Sequence, residues 1–264
     1  MSKTDLAIPG ERAVVTAAGS GIGREIARQL LQSGVDVVIN DIDKAAVESA
    51  LDDFSELDGT VRAVQGNARN SDDMEALIES AVDQFGGLDI LVNNVGIAGP
   101  TKACEDITTE EFMTTLETNL GGHFNATRAA IPHLKRGSDG RIVNISSMSG
   151  KRPLANRTPY TTAKMGVIGF TRTLAVELAS AGITVNAVCP GSVSGPRLEH
   201  VIEGQAESES RPYEEVEEEF RSVSPMNAFV EPSDVAQTVL YLCSTGANKV
   251  TGQDINVTAG VCMY

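Results

Sequence analysis

Seven short apolar runs, rich in β-branched residues, recur along the chain at 13–16, 35–39, 61–64, 90–92, 141–145, 184–188 and 254–257. Helical patterns lie between them, at 22–31, 72–85, 110–134, 160–179 and 232–243. No other feature constrains the fold as much. A short run that is apolar on both faces must be covered on both faces, and a helix between two such runs returns the chain in the same direction. Right-handed βαβ units follow, and with them a parallel sheet between two layers of helices.

Seven such strands use almost all of the 264 residues, and neither linker nor repeat interrupts them. The expectation is a single α/β domain over 1–264, a doubly wound, Rossmann-like seven-stranded parallel sheet. Hydrophobic residues make up 41% of the chain, enough for a packed core. A formal charge of −15 argues against nucleic acid or anionic membrane as a partner. Cys104, Cys189, Cys243 and Cys262 are scattered without a CxxC pair, as expected of reduced thiols in a cytoplasmic protein. No stretch approaches the roughly 18 apolar residues of a membrane span.

One segment departs from the rhythm. After the sixth strand, "GPRLEHVIEGQAESESRPYEEVEEEF" is helical in period and places nine Glu between Glu199 and Glu219 against the single strong base Arg211. Such a run is either a solvated helix face or, from its position beyond a strand's carboxyl end, a lid over about 195–225. As a lid it would repel itself, and Leu198, Val201, Ile202, Val216 and Phe220 would fold down over the site.

The first strand enters the turn "TAAGSGIG" and leaves as a helix. Gly21 permits close approach of backbone to a pyrophosphate, Gly23 permits tight helix–strand packing, and the free N–H groups of the helix start favour an anion. The second strand ends "VVINDID", where Asp41 stands at the spacing of an acid that hydrogen-bonds an adenosine ribose. A carboxylate there repels a 2′-phosphate, and Ile42 and Ser20 offer no cation to hold one. The reading is NAD rather than NADP, with Arg24 as the one nearby base.

"YTTAK" sets Tyr160 and Lys164 four residues apart at a helix start, on one face. An adjacent ammonium favours the phenolate, as a proton relay near neutral pH requires. "VNISSMSG" closes the fifth strand with Ser146 and Ser147, whose hydroxyls face the same crevice and can hold a substrate oxygen.

In this order, the glycine turn, Asp41, "NNVG" at 93–96, Asn119, Ser147, Tyr160 with Lys164, and "PGSVSG" at 190–195 resemble the short-chain dehydrogenase/reductase family over nearly the whole chain. The resemblance implies that Tyr160 is the general acid/base and that Lys164 supports it and bonds the nicotinamide ribose. It implies that Ser147 orients the reacting oxygen and that Asn119 supports a water-mediated proton path from Lys164. The cofactor would lie against Ala17, Ser20, Gly21, Ile22 and Gly23 of the turn, Asp41 and Ile42, Asn67 and Ala68 beside the adenine, Asn94 and Gly96, and Pro190, Gly191 and Val193 at the carboxamide. The family also implies a homotetramer built through 110–134, 160–179 and the tail 252–264.

Four positions depart from the family pattern. Ala17 replaces a glycine, which is tolerable if its φ stays negative. Val95 replaces an alanine, Asn67 an aspartate, and Gly195 a threonine that often touches the carboxamide, with Ser194 one residue out of register.

For substrate the residues say less. Lys151, Arg152, Arg157 and Arg197 lie near the expected pocket and either anchor an anionic group or pair with the acidic segment. Ser147, Arg152, Arg197 and His200 are the candidate substrate contacts. His123, His133 and His200 lack metal-ligand spacing, and no catalytic metal is expected. The leading expectation is an NAD-dependent oxidoreductase of a secondary alcohol or ketone, such as a sugar, polyol, hydroxy acid or cyclic diol. The alternatives are a 3-oxoacyl thioester reductase, which Asp41 disfavours because reductive biosynthesis usually draws on NADPH, and a non-catalytic NAD-binding regulatory or scaffold protein.

Overall fold

The structure is a computed structural model that describes residues 7–264, apart from the side chains of Arg197 and Ser208. Among the described residues, β1 (Arg12–Val15), β2 (Asp36–Asp41), β3 (Val61–Gln65), β4 (Ile90–Asn93), β5 (Arg141–Ile145), β6 (Thr184–Pro190) and β7 (Asp254–Val257) form one sheet. Its order is β3-β2-β1-β4-β5-β6-β7, and every pairing is parallel. The order reverses between β1 and β4, which opens a crevice at the carboxyl ends of those strands.

Adjacent strand residues point to opposite faces, and each face has its own helices. Val15, Ile39, Val92 and Val143 pack with Ile26 and Leu30 of α1 (Gly21–Gln32) and with Val235 and Val239 of α9 (Pro232–Cys243). Val14, Val38, Leu91 and Ile142 pack with α3 (Ser71–Phe85), α5 (Gly122–Leu134) and α6 (Thr158–Leu178).

Polar side chains bind the central strands across this second face. Asn93 Nδ2 donates to Asn144 Oδ1 and to Thr127 Oγ1 of α5, both at 2.8 Å. Asn144 Nδ2 in turn donates to Thr171 Oγ1 of α6 at 2.9 Å. Asn93, Asn144, Thr127 and Thr171 are all buried, so the ladder ties β4, β5 and their covering helices where water cannot compete.

The helix expected over 110–134 is broken. It runs as α4 (Thr109–Leu116), a wider π turn at Glu117–Gly121, and α5. The extra residue per turn sets the buried Asn119 between two regular helices, and π turns of this kind often occur at functional positions.

The acidic segment is helical, as its period predicts. It forms α7 (Pro196–Glu209) and α8 (Tyr213–Ser222), whose apolar residues Ile202, Ala206 and Val216 pack on one another with Leu198, Phe220 and Phe229. They make a small core of their own, and Val201 is half exposed. Nor do the glutamates simply repel. Arg211 donates to Glu209 at 2.9 Å and to Glu219 at 2.5 Å, and Arg221 pairs with Glu217 at 3.0 Å. The glutamate hydrogen bonds raise the Arg211 pKa above its ordinary value, and the same contact lowers that of Glu219.

Candidate active site

The turn after β1 is held from below by two side chains. Thr16 Oγ1 accepts from Asn94 N at 2.9 Å, and Asn94 Nδ2 donates to Thr16 O at 3.2 Å and to Ala17 O at 2.9 Å. This bracing sets the turn, and it puts Ala17 at φ +50°, contrary to the expectation of a negative φ. The methyl is accommodated, but in the left-handed region, at a cost of about 1–2 kcal/mol. Gly21 also has a left-handed φ, with open space where a side chain would be, and a Cβ on Gly23 would collide with Ala17 O and Asn94 Nδ2.

Several other helices close their first turn with side chains. Asp43 caps α2 (Lys44–Phe54), Asn70 caps α3, and Thr108 with Glu111 caps α4. Ser20, at the start of α1, makes no such cap, so the amides there point at the crevice unclaimed by its hydroxyl. A pyrophosphate fits that arrangement. Asp41, at the end of β2, accepts from Gly19 N and Asp43 N, each at 3.1 Å, which fixes its carboxylate at the rim of the turn. Arg24 donates to Gly19 O at 3.2 Å and pairs with Asp53, and Ile42 is exposed.

Two departures from the family pattern have local explanations. Val95 sits opposite Gly122, where a Cβ would come within 2.9 Å of Val95 Cγ1, so the larger side chain is matched by a missing one. Asn67 Oδ1 accepts from Arg69 N at 3.0 Å, while Asp73 supplies a carboxylate to Asn67 N at 2.7 Å. Ala68 is buried, and Asn125 Nδ2 donates to its carbonyl at 3.0 Å. Past β6, Gly191 N donates to Val257 O at 2.8 Å, and Val193 bridges to Val230. Gly195 has φ +127°, which a threonine rarely adopts, and the hydroxyl of Ser194 is taken by Glu231.

The four expected catalytic positions converge at the carboxyl ends of β4 and β5. Asn119 Oδ1 accepts from Ile97 N at 3.2 Å, and its Nδ2 donates to Ile97 O at 3.1 Å and Thr115 O at 2.9 Å. A Cβ on Gly96 would lie 2.7 Å from Asn119 Oδ1 and 3.2 Å from Lys164 Nζ, so these three positions meet. Lys164 is buried, its Nζ donates to Ile145 O at 2.9 Å, and it lies 5.9 Å from the centre of the Tyr160 ring. Ser147, just past β5, accepts from Ser149 N at 3.1 Å, and Ser146 donates to Lys164 O at 2.8 Å.

The candidate substrate contacts fare differently. Arg152 is exposed, with its amide bonded to Met148 O at 2.7 Å. His200 is exposed on α7, and the Arg197 side chain lies outside the described residues. Lys151 pairs with Asp254 at 2.7 Å, and Arg172 shares that carboxylate at 2.8 Å.

Sequence reasoning passed over Thr16, and it named His123 and Arg157 without the contacts they make here. Thr16 braces the turn, and its position directly after the first strand was the available signal. His123 lies fully buried one turn beyond Asn119, with Nε2 3.1 Å from Val95 O. Burial and the Lys164 charge push its pKa down to about 3, so the imidazole is neutral. Arg157 stacks over Tyr160, its guanidinium carbon 4.8 Å from the ring centre. The buried thiols are out of play, because burial pushes Cys189 up to about 11 and Cys243 up to about 12.

The chain matches known proteins along its length. A family model described as enoyl-(acyl carrier protein) reductase matches residues 16–262. A Streptomyces coelicolor protein provisionally named ketoacyl reductase is 38% identical over 257 residues, 96% of this chain and 98% of that protein. D-beta-hydroxybutyrate dehydrogenase of Cupriavidus necator is 35% identical over 255 residues, 95% of this chain and 97% of the other. The crystal structure of a single-site variant of actinorhodin polyketide ketoreductase with NADPH superposes with a TM-score of 0.90 at 37% identity, covering 100% of both chains. The chain belongs to the short-chain dehydrogenase/reductase family, whose members of this type are oxidoreductases acting on alcohols and ketones.

Proposed function

We propose that this short-chain dehydrogenase/reductase uses NAD to interconvert a secondary alcohol and its ketone, with Tyr160 as general acid/base. The observation that carries the reading is the meeting of Asn119, Lys164 and Gly96 beside the Tyr160 ring, at the carboxyl ends of β4 and β5. A silent relative has no need of that convergence. The nicotinamide cofactor, when bound, supplies the hydride acceptor or donor.

The chain's own residues supply the rest. Tyr160 Oη takes the proton from the alcohol, or gives it to the ketone. Ser147 holds the reacting oxygen in line with it. Lys164, held by Ile145 O, keeps a positive charge beside the phenol and bonds the ribose. Asn119 locks the loop after β4 through its paired bonds to Ile97 and supports the water path by which the proton leaves.

Two observations support NAD. The Asp41 carboxylate stands at the rim of the turn where a 2′-phosphate would lie, and Arg24 is engaged by Asp53 and Gly19 O. A second reading, a 3-oxoacyl thioester reductase, is favoured by the names of the relatives at 38% and 37% identity. One experiment separates them: rates with a panel of secondary alcohols and 3-oxoacyl thioesters, each with NAD(H) and NADP(H), followed by the absorbance of the reduced cofactor. We expect kcat/KM at least about tenfold higher with NAD, and Asp41→Ala should narrow the gap by weakening NAD. Comparable kcat/KM with the two cofactors overturns the NAD assignment.

A homo-oligomer belongs to the same reading. Leu116, Leu120, Phe124 and Phe170 line an apolar groove between α4, α5 and α6, and Phe124 is half exposed. Light scattering that gives a stable monomer at working concentration rejects this part.

A further inference from the structure

In the reading above, a dinucleotide rests its adenine half on the loop after β3, at 67–68, and its nicotinamide half on the loop after β4, at 94–96. Both loops back onto the same short stretch of helix. Gly122 opens α5 between them, where a Cβ would lie 2.9 Å from Val95 Cγ1 and 3.1 Å from Ala68 Cβ. Neither side leaves room for a methyl, so the glycine sets how closely both loops approach the helix.

One residue on, His123 Nε2 lies 3.1 Å from Val95 O. A carbonyl only accepts, so Nε2 carries the proton and Nδ1 is bare. That Nδ1 is buried and has no hydrogen-bond partner among the described residues. Burying it so is unfavourable to folding, and an aliphatic side chain would avoid the penalty. Stability alone does not account for an imidazole here, whereas its bond to the loop does. Two residues further, Asn125 Nδ2 donates to Ala68 O at 3.0 Å and to Arg69 O at 3.2 Å. Arg69 also pairs with Glu117 of the π turn at 2.5 Å. His123 thus holds one loop, Asn125 holds the other, and Gly122 spaces both.

We infer that Gly122, His123 and Asn125 are positioning residues for the dinucleotide, fixing from behind the distance between the loop for its adenine half and the loop for its nicotinamide half. The inference rests on the reading of this crevice as the cofactor site. It also makes Val95 and Gly122 a matched pair, in which the larger side chain on the loop requires the missing one on the helix.

The test is calorimetric titration of the enzyme with NAD and, for the adenine half alone, with AMP. His123→Leu should raise the Kd of NAD about tenfold, the scale of one hydrogen bond, and leave that of AMP within about twofold. His123→Gln, which can still donate to Val95 O, should recover most of the loss. Asn125→Leu should weaken NAD and AMP by similar factors. Gly122→Ala should weaken both, and adding Val95→Ala should recover part of the NAD affinity and none of the AMP affinity, because the contact with Ala68 remains. Should Gly122→Ala fail to fold, the other three single variants decide. A His123→Leu enzyme that loses NAD and AMP equally, or neither, overturns the inference, as does an Asn125→Leu enzyme that binds AMP unchanged. The cofactor reading then still stands on the wild type's binding of NAD. A wild type that binds neither NAD nor AMP sinks both.

Discussion

The floor of the site and the two helices beyond β6 are built in opposite ways. On the floor, Asn119, His123 and Lys164 are almost wholly buried, and each bonds a backbone carbonyl. In α7 and α8 a three-residue buried core carries a surface of exposed carboxylates bridged by Arg211 and Arg221. Polar groups placed in low dielectric hold their geometry, because leaving a partner strands a buried atom. Surface ion pairs over a small core release easily. The contrast predicts precision on the floor and movement in the α7–α8 unit.

The largest expected effect is on the floor. Tyr160→Phe removes only the transferable proton, so turnover should fall by about a thousandfold or more while NAD binding stays nearly intact. Lys164→Ala should damage both. Retention of most activity in Tyr160→Phe, measured with saturating NAD, would falsify the assigned proton chemistry.

His123 makes the floor sensitive to acid. Its folded pKa of about 3 lies below the ordinary 6.5, so the unfolded chain binds the proton more tightly. Its contribution is therefore fully present above pH 6.5 and is lost as pH falls toward 3. Between pH 7.5 and pH 5 the loss should be roughly 2 kcal/mol in urea unfolding. His123→Gln should flatten that slope, and a slope unchanged by the substitution removes His123 as its source.

For the α7–α8 unit the readout is hydrogen exchange. Binding of NAD with substrate should slow exchange in 196–222 more than elsewhere, and Arg211→Gln should speed it in the free protein. Equal protection with and without ligands would make this segment a fixed wall and erase the contrast.

The smallest effect belongs to the turn. Ala17→Gly relieves the left-handed methyl but gives the unfolded chain more freedom, for a net gain of up to about 1 kcal/mol. A lowered melting temperature would mean that the methyl makes a contact worth more than its strain.

The same contrast separates what the residues disclose from what they conceal. Periodicity placed the seven strands to within one or two residues, because burial on both faces leaves a continuous apolar run. The candidate positions Ser147, Tyr160 and Lys164 could be named because their spacing on one strand end and one helix face is local, whereas Asn119 came only from the family resemblance. The π turn at Glu117–Gly121 leaves no mark in "TLETNLGGHF", where apolar spacing reads on as one helix. Ala17 was misjudged because residue type argues for a negative φ, whereas the bonds from Asn94, distant in the chain, set it. Arg157 over Tyr160 depends on where the Ala98 loop comes to rest, which no local pattern encodes.

The Asn93–Asn144 ladder has a consequence for assembly of the sheet. Parallel strands pair late and slowly, since each pairing closes a long loop before it gains anything. Apolar runs such as "ILVN" and "RIVNI" tolerate a slipped alignment, because both faces are greasy and one aliphatic residue replaces another. The amides do not tolerate it. A β5 docked one residue out of step on β4 turns Asn144 to the opposite face and strands the partners on Asn93, Thr127 and Thr171 together. The ladder acts as a key cut into an otherwise smooth blank: only the alignment that puts Asn119, Ser147 and Lys164 around one crevice lets it turn.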